Sequence, residues 1–103
     1  MSLRRRQELV EVAREYDACI ITDDVYDLLQ WPADESSPIS LAHARLPRIV
    51  DIDRTLAGGA EREGLDGFGN AVSNGSFSKI VGPGCRTGWA EATAKFAWGL
   101  SQV

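Results

Sequence analysis

Apolar residues at Leu9, Val12, Ala13 and Tyr16 recur at i, i+3, i+4 and i+7, one face of a helix. Arg, Gln and Glu fill most of the positions between them, so the spacing predicts a helix over residues 4–17. The pattern breaks at Ala18-Cys19-Ile20-Ile21-Thr22, a short apolar run with no alternation. That run is too short for a helix and suits a strand of a parallel sheet, buried on both faces. A helix leading into such a strand is half of a βαβ unit. Residues 27–31 then read as a short helical turn, and residues 32–38, with Pro, Ser and acids, as a surface loop. A second short strand is expected within 46–52, and the glycine-rich, charged stretch 57–69 reads as loop. Residues 71–79 start like a strand and lose their apolar character, and Gly82-Pro83-Gly84 marks a turn. Residues 87–90 suit another short strand, and 92–100 a helix with Phe96 and Leu100 four apart. The expected class is α/β, with a mostly parallel sheet and flanking helices.

Composition narrows the function classes. The chain of 103 residues is at most one domain, and its 44% apolar and 25% charged residues are ordinary for a globular one. A disordered tail, a collagen-like chain and a coiled coil are excluded. A folded chain of this size buries somewhat over ~60% of its unfolded surface, enough for one core. Eleven basic and 15 acidic residues give a net charge of −4, which argues against a nucleic-acid partner. The one basic run, Arg4-Arg5-Arg6, is followed directly by Glu8, Glu11 and Glu15. No apolar stretch approaches ~18 residues, so no membrane partner is expected. The N-terminus has no apolar core of a secretory signal and is too acidic for a transit peptide. Two cysteines, Cys19 and Cys85, make no disulfide framework, so a reducing, cytoplasmic setting is the expectation. With His43 the only histidine, no zinc spacing exists and no metal is expected. Asp51 and Asp53 look like paired carboxylates but read as one solvated edge of a strand. Trp31, Trp89 and Trp98 read as core or interface residues.

Two constellations carry chemistry. In a strand, Ser76 and Ser78 share a face, and Lys79 points away unless the chain bends. The Gly82-Pro83-Gly84 turn supplies a bend, and Arg86 returns after it. Hydroxyls and arginine are natural phosphate ligands. An amine in a partly desolvated site beside another cation loses its proton more readily and can attack a carbonyl to form a Schiff base. The competing reading is a solvated hairpin with an exposed lysine. The second constellation is Asp23-x-x-Tyr26, a spacing that puts both side chains on one face if the chain turns helically. It lies just beyond a strand's carboxyl end, where ligands sit in open α/β sheets. The competing reading is that Asp23 or Asp24 caps the next helical turn. A cofactor with a phosphate, an aldehyde, a basic ring nitrogen and a phenolic oxygen needs both sets, and that cofactor is pyridoxal 5′-phosphate. Lys79 would hold the aldehyde. Asp23 would keep the ring nitrogen protonated, which makes the ring an electron sink. Tyr26 would bond the ring hydroxyl, and Ser76, Ser78 and Arg86 would bind the phosphate.

At these residues the sequence resembles a known family. Ile20-Ile21-Thr22-Asp23-Asp24-Val25-Tyr26 is similar to the strand-end segment of class I/II aminotransferases. Ser76-Phe77-Ser78-Lys79-Ile80-Val81-Gly82-Pro83-Gly84-Cys85-Arg86-Thr87-Gly88-Trp89 is similar to their Schiff-base lysine segment, most of all in the aminoadipate and kynurenine aminotransferase branch. The two segments stand in the family's order, and the resemblance weakens over residues 32–69. It implies that residues 1–103 are part of the large, cofactor-binding domain of a fold-type I pyridoxal-phosphate enzyme. It implies amino-group transfer from an amino acid to a 2-oxo acid, a catalytic Lys79 that also shuttles a proton at the substrate α-carbon, and a homodimer. The family's glycine-containing phosphate loop, ring-stacking aromatic, ring-binding Asn and carboxylate-gripping Arg have no counterpart in these 103 residues, so little or no turnover is expected of them alone. A C–S lyase or a decarboxylase on the same scaffold shares the Asp, Tyr and Lys set. A non-catalytic remnant that binds phosphate or a partner protein is the reading from another class.

Overall fold

The computed structural model describes residues 1–27, 29 and 47–103. The expected loop at 32–38, His43, Trp31 and most of the expected turn at 27–31 lie outside the described residues.

Helix α1, Leu3–Glu15, begins at Ser2, whose hydroxyl accepts the Arg5 N–H. It buries Val10 and Ala13. The chain leaves it through Asp17 at φ 50°, and the Ala18 N–H reaches back to the Ala13 carbonyl at 2.8 Å. This left-handed closure redirects the backbone into strand β1, Ile20–Asp23. Strand β2, Ala71–Ser76, runs parallel to β1, with Ile20 opposite Ala71 and Asp23 opposite Asn74. Strand β3, Gly88–Glu91, runs antiparallel to β2, with Ser73 opposite Glu91 and Ser76 opposite Gly88. The order is β1-β2-β3.

The sheet is therefore mixed and not mostly parallel as expected. Residues 77–87 join β2 to β3 through a turn, and a parallel neighbour would need a crossover of about a dozen residues or more. β1 is also not covered on both faces, because Ile21 is 70% exposed. Ile20 faces the core and Ile21 faces outward, a half-buried strand whose short apolar run concealed the alternation.

A larger correction concerns residues 46–52, within which a second short strand was expected. Ile49–Thr55 form helix α2, with Ile49, Val50, Ile52 and Asp53 buried. Buried positions at i, i+1, i+3 and i+4 are helical spacing. The start is fixed by a capping box: the Asp51 carboxylate accepts the Arg48 N–H at 2.9 Å. α2 lies between α1 and β2, and Val10, Ile49, Val50, Ile52 and Ala71 form the core, with Ile20 and Leu56 packed against it.

Asp53 is not a solvated edge either. It is 1% exposed, beneath Arg14 of α1 and beside Asn70, the residue that leads into β2. The expected loop at 57–69 is present, and five of its glycines, among them Gly58 and Gly69, adopt positive φ. After β3, the Thr93 hydroxyl accepts the Phe96 N–H and caps helix α3, Ala94–Leu100. Trp98 on that helix is 68% exposed and is not a core residue of the described chain.

Candidate functional site

Parallel pairing brings the carboxyl ends of β1 and β2 to one edge of the sheet. Asp23 stands opposite Asn74, and the Asn74 amide donates to its Oδ1 at 3.5 Å. Strand alternation puts Ser76 on the same face as Asn74. Beyond β1 the chain turns: the Asp27 N–H bonds the Asp24 carbonyl and the Leu29 N–H bonds the Tyr26 carbonyl, both at 2.9 Å. Tyr26 stands on this turn, 58% exposed.

The helix-cap reading of Asp23 and Asp24 does not hold among the described residues. The Asp24 carboxylate accepts the Thr22 hydroxyl at 2.6 Å and the Ser73 hydroxyl at 2.5 Å. It ties β1 to β2 from the face opposite Asp23. Asp23 is left exposed, with the Asn74 amide as its hydrogen-bond donor.

Beyond β2 the backbone bends at once. The N–H groups of Ile80, Val81 and Gly82 converge on the Phe77 carbonyl at 3.2, 2.9 and 3.1 Å. The Ser78 N–H donates to Ser76 Oγ at 3.1 Å, and the two hydroxyl oxygens lie 3.0 Å apart. The serines thus meet through a turn and not along one strand face. The same bend carries Lys79 back toward β1, and its Nζ sits 5.8 Å from the centroid of the Tyr26 ring. Arg86 follows the short 3-10 turn Pro83–Cys85, exposed and at φ 47°.

The structure therefore joins Lys79 to Tyr26, Ser76 to Ser78, and Asp23 to Asn74. Arg86 makes no hydrogen bond or ion pair with any of them among the described residues. Its freedom is informative because this chain pairs its cations. Arg4, Arg5, Arg14, Arg48, Arg54 and Arg62 each lie within ion-pair distance of a carboxylate. Arg6 and Lys95 donate to backbone carbonyls, of Pro47 and Asp66. Among the described residues, Lys79 and Arg86 are the two basic side chains with no oxygen partner.

Sequence reading weighed Asp24 only as a helix cap, not as the tie between β1 and β2, and missed Arg48. Behind the site, Arg48 lies 2.9 Å from Asp51, 2.8 Å from Glu91 and 3.6 Å from Asp27. Its hydrogen bond to Asp51 raises its affinity for its proton, against the opposing effect of burial. Hydrogen bonding to Arg48 holds the Glu91 carboxyl below its ordinary value, with burial opposing and Arg54 assisting. One guanidinium so links the start of α2, the turn after Tyr26 and strand β3. Its signal, an N-cap three residues before an aspartate, was hidden once the segment was read as a strand.

The geometry defines a small α/β unit with exposed polar side chains at the carboxyl ends of two parallel strands. No protein-family model matches the chain, and no solved structure matches it. Similar sequences do exist. The uncharacterized protein YER152C of Saccharomyces cerevisiae is 46% identical over 95 residues, 88% of this chain and 19% of that protein. L-tyrosine:2-oxoglutarate aminotransferase amt1 of Serpula lacrymans is 35% identical over 105 residues, 100% of this chain and 19% of that protein. Aromatic-amino-acid aminotransferase 1 of Thermococcus litoralis is 29% identical over 96 residues, 93% of this chain and 18% of that protein. The chain thus spans about a fifth of the length of the relatives it matches. Aminotransferases at 26–35% identity support an aminotransferase family for it.

Proposed function

We propose that this chain holds pyridoxal 5′-phosphate for an aminotransferase of fold type I. One observation carries the reading. Lys79 and Arg86, the two basic side chains with no oxygen partner among the described residues, flank one turn beside the coupled hydroxyls of Ser76 and Ser78. A free guanidinium and hydroxyls suit a phosphate, a free amine suits an aldehyde, and the open carboxylate of Asp23 suits a protonated ring nitrogen. The donor set therefore fits the cofactor. Lys79 Nζ would hold its aldehyde carbon and, released by exchange with the substrate amine, would take and return the proton of the substrate α-carbon. Asp23 keeps the ring nitrogen charged, and the Tyr26 hydroxyl bonds the ring oxygen. Ser76, Ser78 and Arg86 take the phosphate. When bound, the cofactor supplies an electron sink for the bond broken at the substrate. An amino acid and a 2-oxo acid are the substrates of this reading. The names of the relatives make tyrosine the donor to test first.

The test is a pyridoxal 5′-phosphate titration of the chain, followed by absorbance. The wild type should give a saturable spectral change, and Lys79→Ala should abolish it. Arg86→Ala should keep the change but weaken binding about tenfold to a hundredfold, the worth of a charge-assisted hydrogen bond. Equal spectral change in the wild type and Lys79→Ala would overturn the reading.

A further inference from the structure

Lys79 reaches Tyr26 because its turn is held from behind. Gly75 stands opposite Trp89 across the β2–β3 pair, and the Trp89 indole lies flat against it. A Cβ built on Gly75 would fall well inside van der Waals distance of indole Cε2, Cζ2 and Nε1. The Trp89 ring also packs against Phe77, with centroids 5.0 Å apart and planes at 58°. Phe77 is the pivot of the turn: its carbonyl receives the three N–H groups of residues 80–82, and its own N–H donates to the Thr87 carbonyl at 3.1 Å. Lys79 is two residues further on, so displacing the Phe77 ring displaces the lysine.

We propose that Phe77 and Trp89, seated on Gly75, form a brace that sets Lys79 above Tyr26, making both rings positioning residues for the lysine. The assignment of a purpose to Lys79 rests on the proposed function, while the brace itself is a property of the free chain. The alternative is a pair of rings that only stabilises the fold, in which case their loss would not act through Tyr26.

The chain offers an internal reference, because Lys79 and Lys95 are its only two lysines. Trace acetylation without cofactor, read by peptide mass spectrometry, gives the ratio of Lys79 to Lys95 labelling. Tyr26→Leu should raise that ratio about two- to fivefold, the worth of an exposed cation–π contact. Phe77→Leu should raise it similarly, and Phe77→Tyr should leave it at the wild-type value. Gly75→Ala keeps both rings and the polar groups intact but lifts the indole, so it should raise the ratio too. It carries the test if Phe77→Leu fails to fold. In a Tyr26→Leu background, neither change should add anything further. An unchanged ratio in Gly75→Ala, or a rise that persists undiminished without Tyr26, would overturn the proposal. A coupled ratio in a chain that fails to capture pyridoxal 5′-phosphate would keep the brace and refute the cofactor reading instead. Capture at Lys79 with an uncoupled ratio would do the reverse.

Discussion

Replacing Asp53 by alanine should remove a large share of the chain's stability. The carboxylate is 1% exposed. Its Oδ1 accepts Arg14 Nε at 3.0 Å and lies 2.9 Å from Arg14 Nη2, and its Oδ2 accepts the buried Asn70 N–H at 2.8 Å. Arg62 Nη1, buried with no hydrogen bond among the described residues, stands 3.8 Å from Oδ1. Removing one partner of a buried ion pair costs about 3–5 kcal/mol, because the other charge stays buried. Arg14 softens this loss: it is 13% exposed and keeps the carbonyls of Asp53, Ala57 and Gly59. The Asn70 N–H deepens it, since a buried donor without an acceptor costs about 1–3 kcal/mol. A net loss of about 3–4 kcal/mol follows. Against a total of about 5–15 kcal/mol for a chain of this size, that is a third or so. The Asn70 carbonyl accepts the Ile20 N–H at 2.9 Å, so the loosening reaches the start of both β1 and β2. Urea unfolding followed by far-ultraviolet circular dichroism measures the loss. Asp53→Asn, which keeps an acceptor for Asn70, should recover part of it. A loss below about 1 kcal/mol in Asp53→Ala would refute the reasoning, because even an orphaned Asn70 N–H should cost that much.

Three further outcomes are expected. Glu91's carboxyl is held below its ordinary value by Arg48 first and Arg54 next. A depressed folded value stabilises above the ordinary carboxyl range and is lost as pH falls through it. Urea midpoints of the wild type and Glu91→Gln should therefore differ at pH 7 and converge only once the pH has fallen below the ordinary carboxyl range, whereas a pH-independent gap would contradict the ion-pair origin. Ser73→Ala removes a fully buried hydroxyl from the Asp24 carboxylate, which keeps Thr22. It should cost about 1–2 kcal/mol in the same unfolding assay, and a stabilised variant would show that the 2.5 Å bond contributes nothing. Partial burial, and then the charge of Asp53, push the Cys19 thiol up. Both cysteines are exposed, so iodoacetamide at pH 8 should modify Cys85 before Cys19 because of the raised Cys19 thiol alone, and the reverse order would contradict that shift.

Two neighbouring pairs of the candidate site follow from the sequence motifs, while Arg86 stands apart from them and Asp23 pairs with Asn74. Asp23-x-x-Tyr26 and Ser76-x-Ser78-Lys79 stood out because each sets polar groups a few residues apart next to a strand end or a turn. Lys79 does meet Tyr26, and Ser76 does meet Ser78. The route by which the serines meet was not readable, because alternation predicts a shared strand face and the bend begins at Phe77. Helix α1 was readable from its repeat, to within two residues at either end. Helix α2 was not: its Ile-Val-x-Ile content is as good a strand by residue type, and the deciding feature is the Arg48–Asp51 capping box. The misreading carried Asp53 with it, since a strand puts that residue on a solvated edge and a helix turns it under Arg14. The antiparallel β3 follows from a turn too short for a crossover, and glycines and a proline mark such turns without stating their direction.

The most direct measurement is where pyridoxal 5′-phosphate becomes fixed. The 103-residue chain is mixed with the cofactor at substoichiometric concentration, reduced with borohydride, digested and mapped by mass spectrometry. Both lysines are exposed, but Lys95 donates to the Asp66 carbonyl and sits over the Phe68 ring, so a preference for Lys79 counts only where Arg86→Ala removes it. A site with Ser76, Ser78 and Arg86 on the phosphate predicts the adduct on Lys79, with Lys95 left essentially unmodified and the preference lost in Arg86→Ala. Equal modification of Lys79 and Lys95 in the wild type would contradict the assignment of this turn to the cofactor.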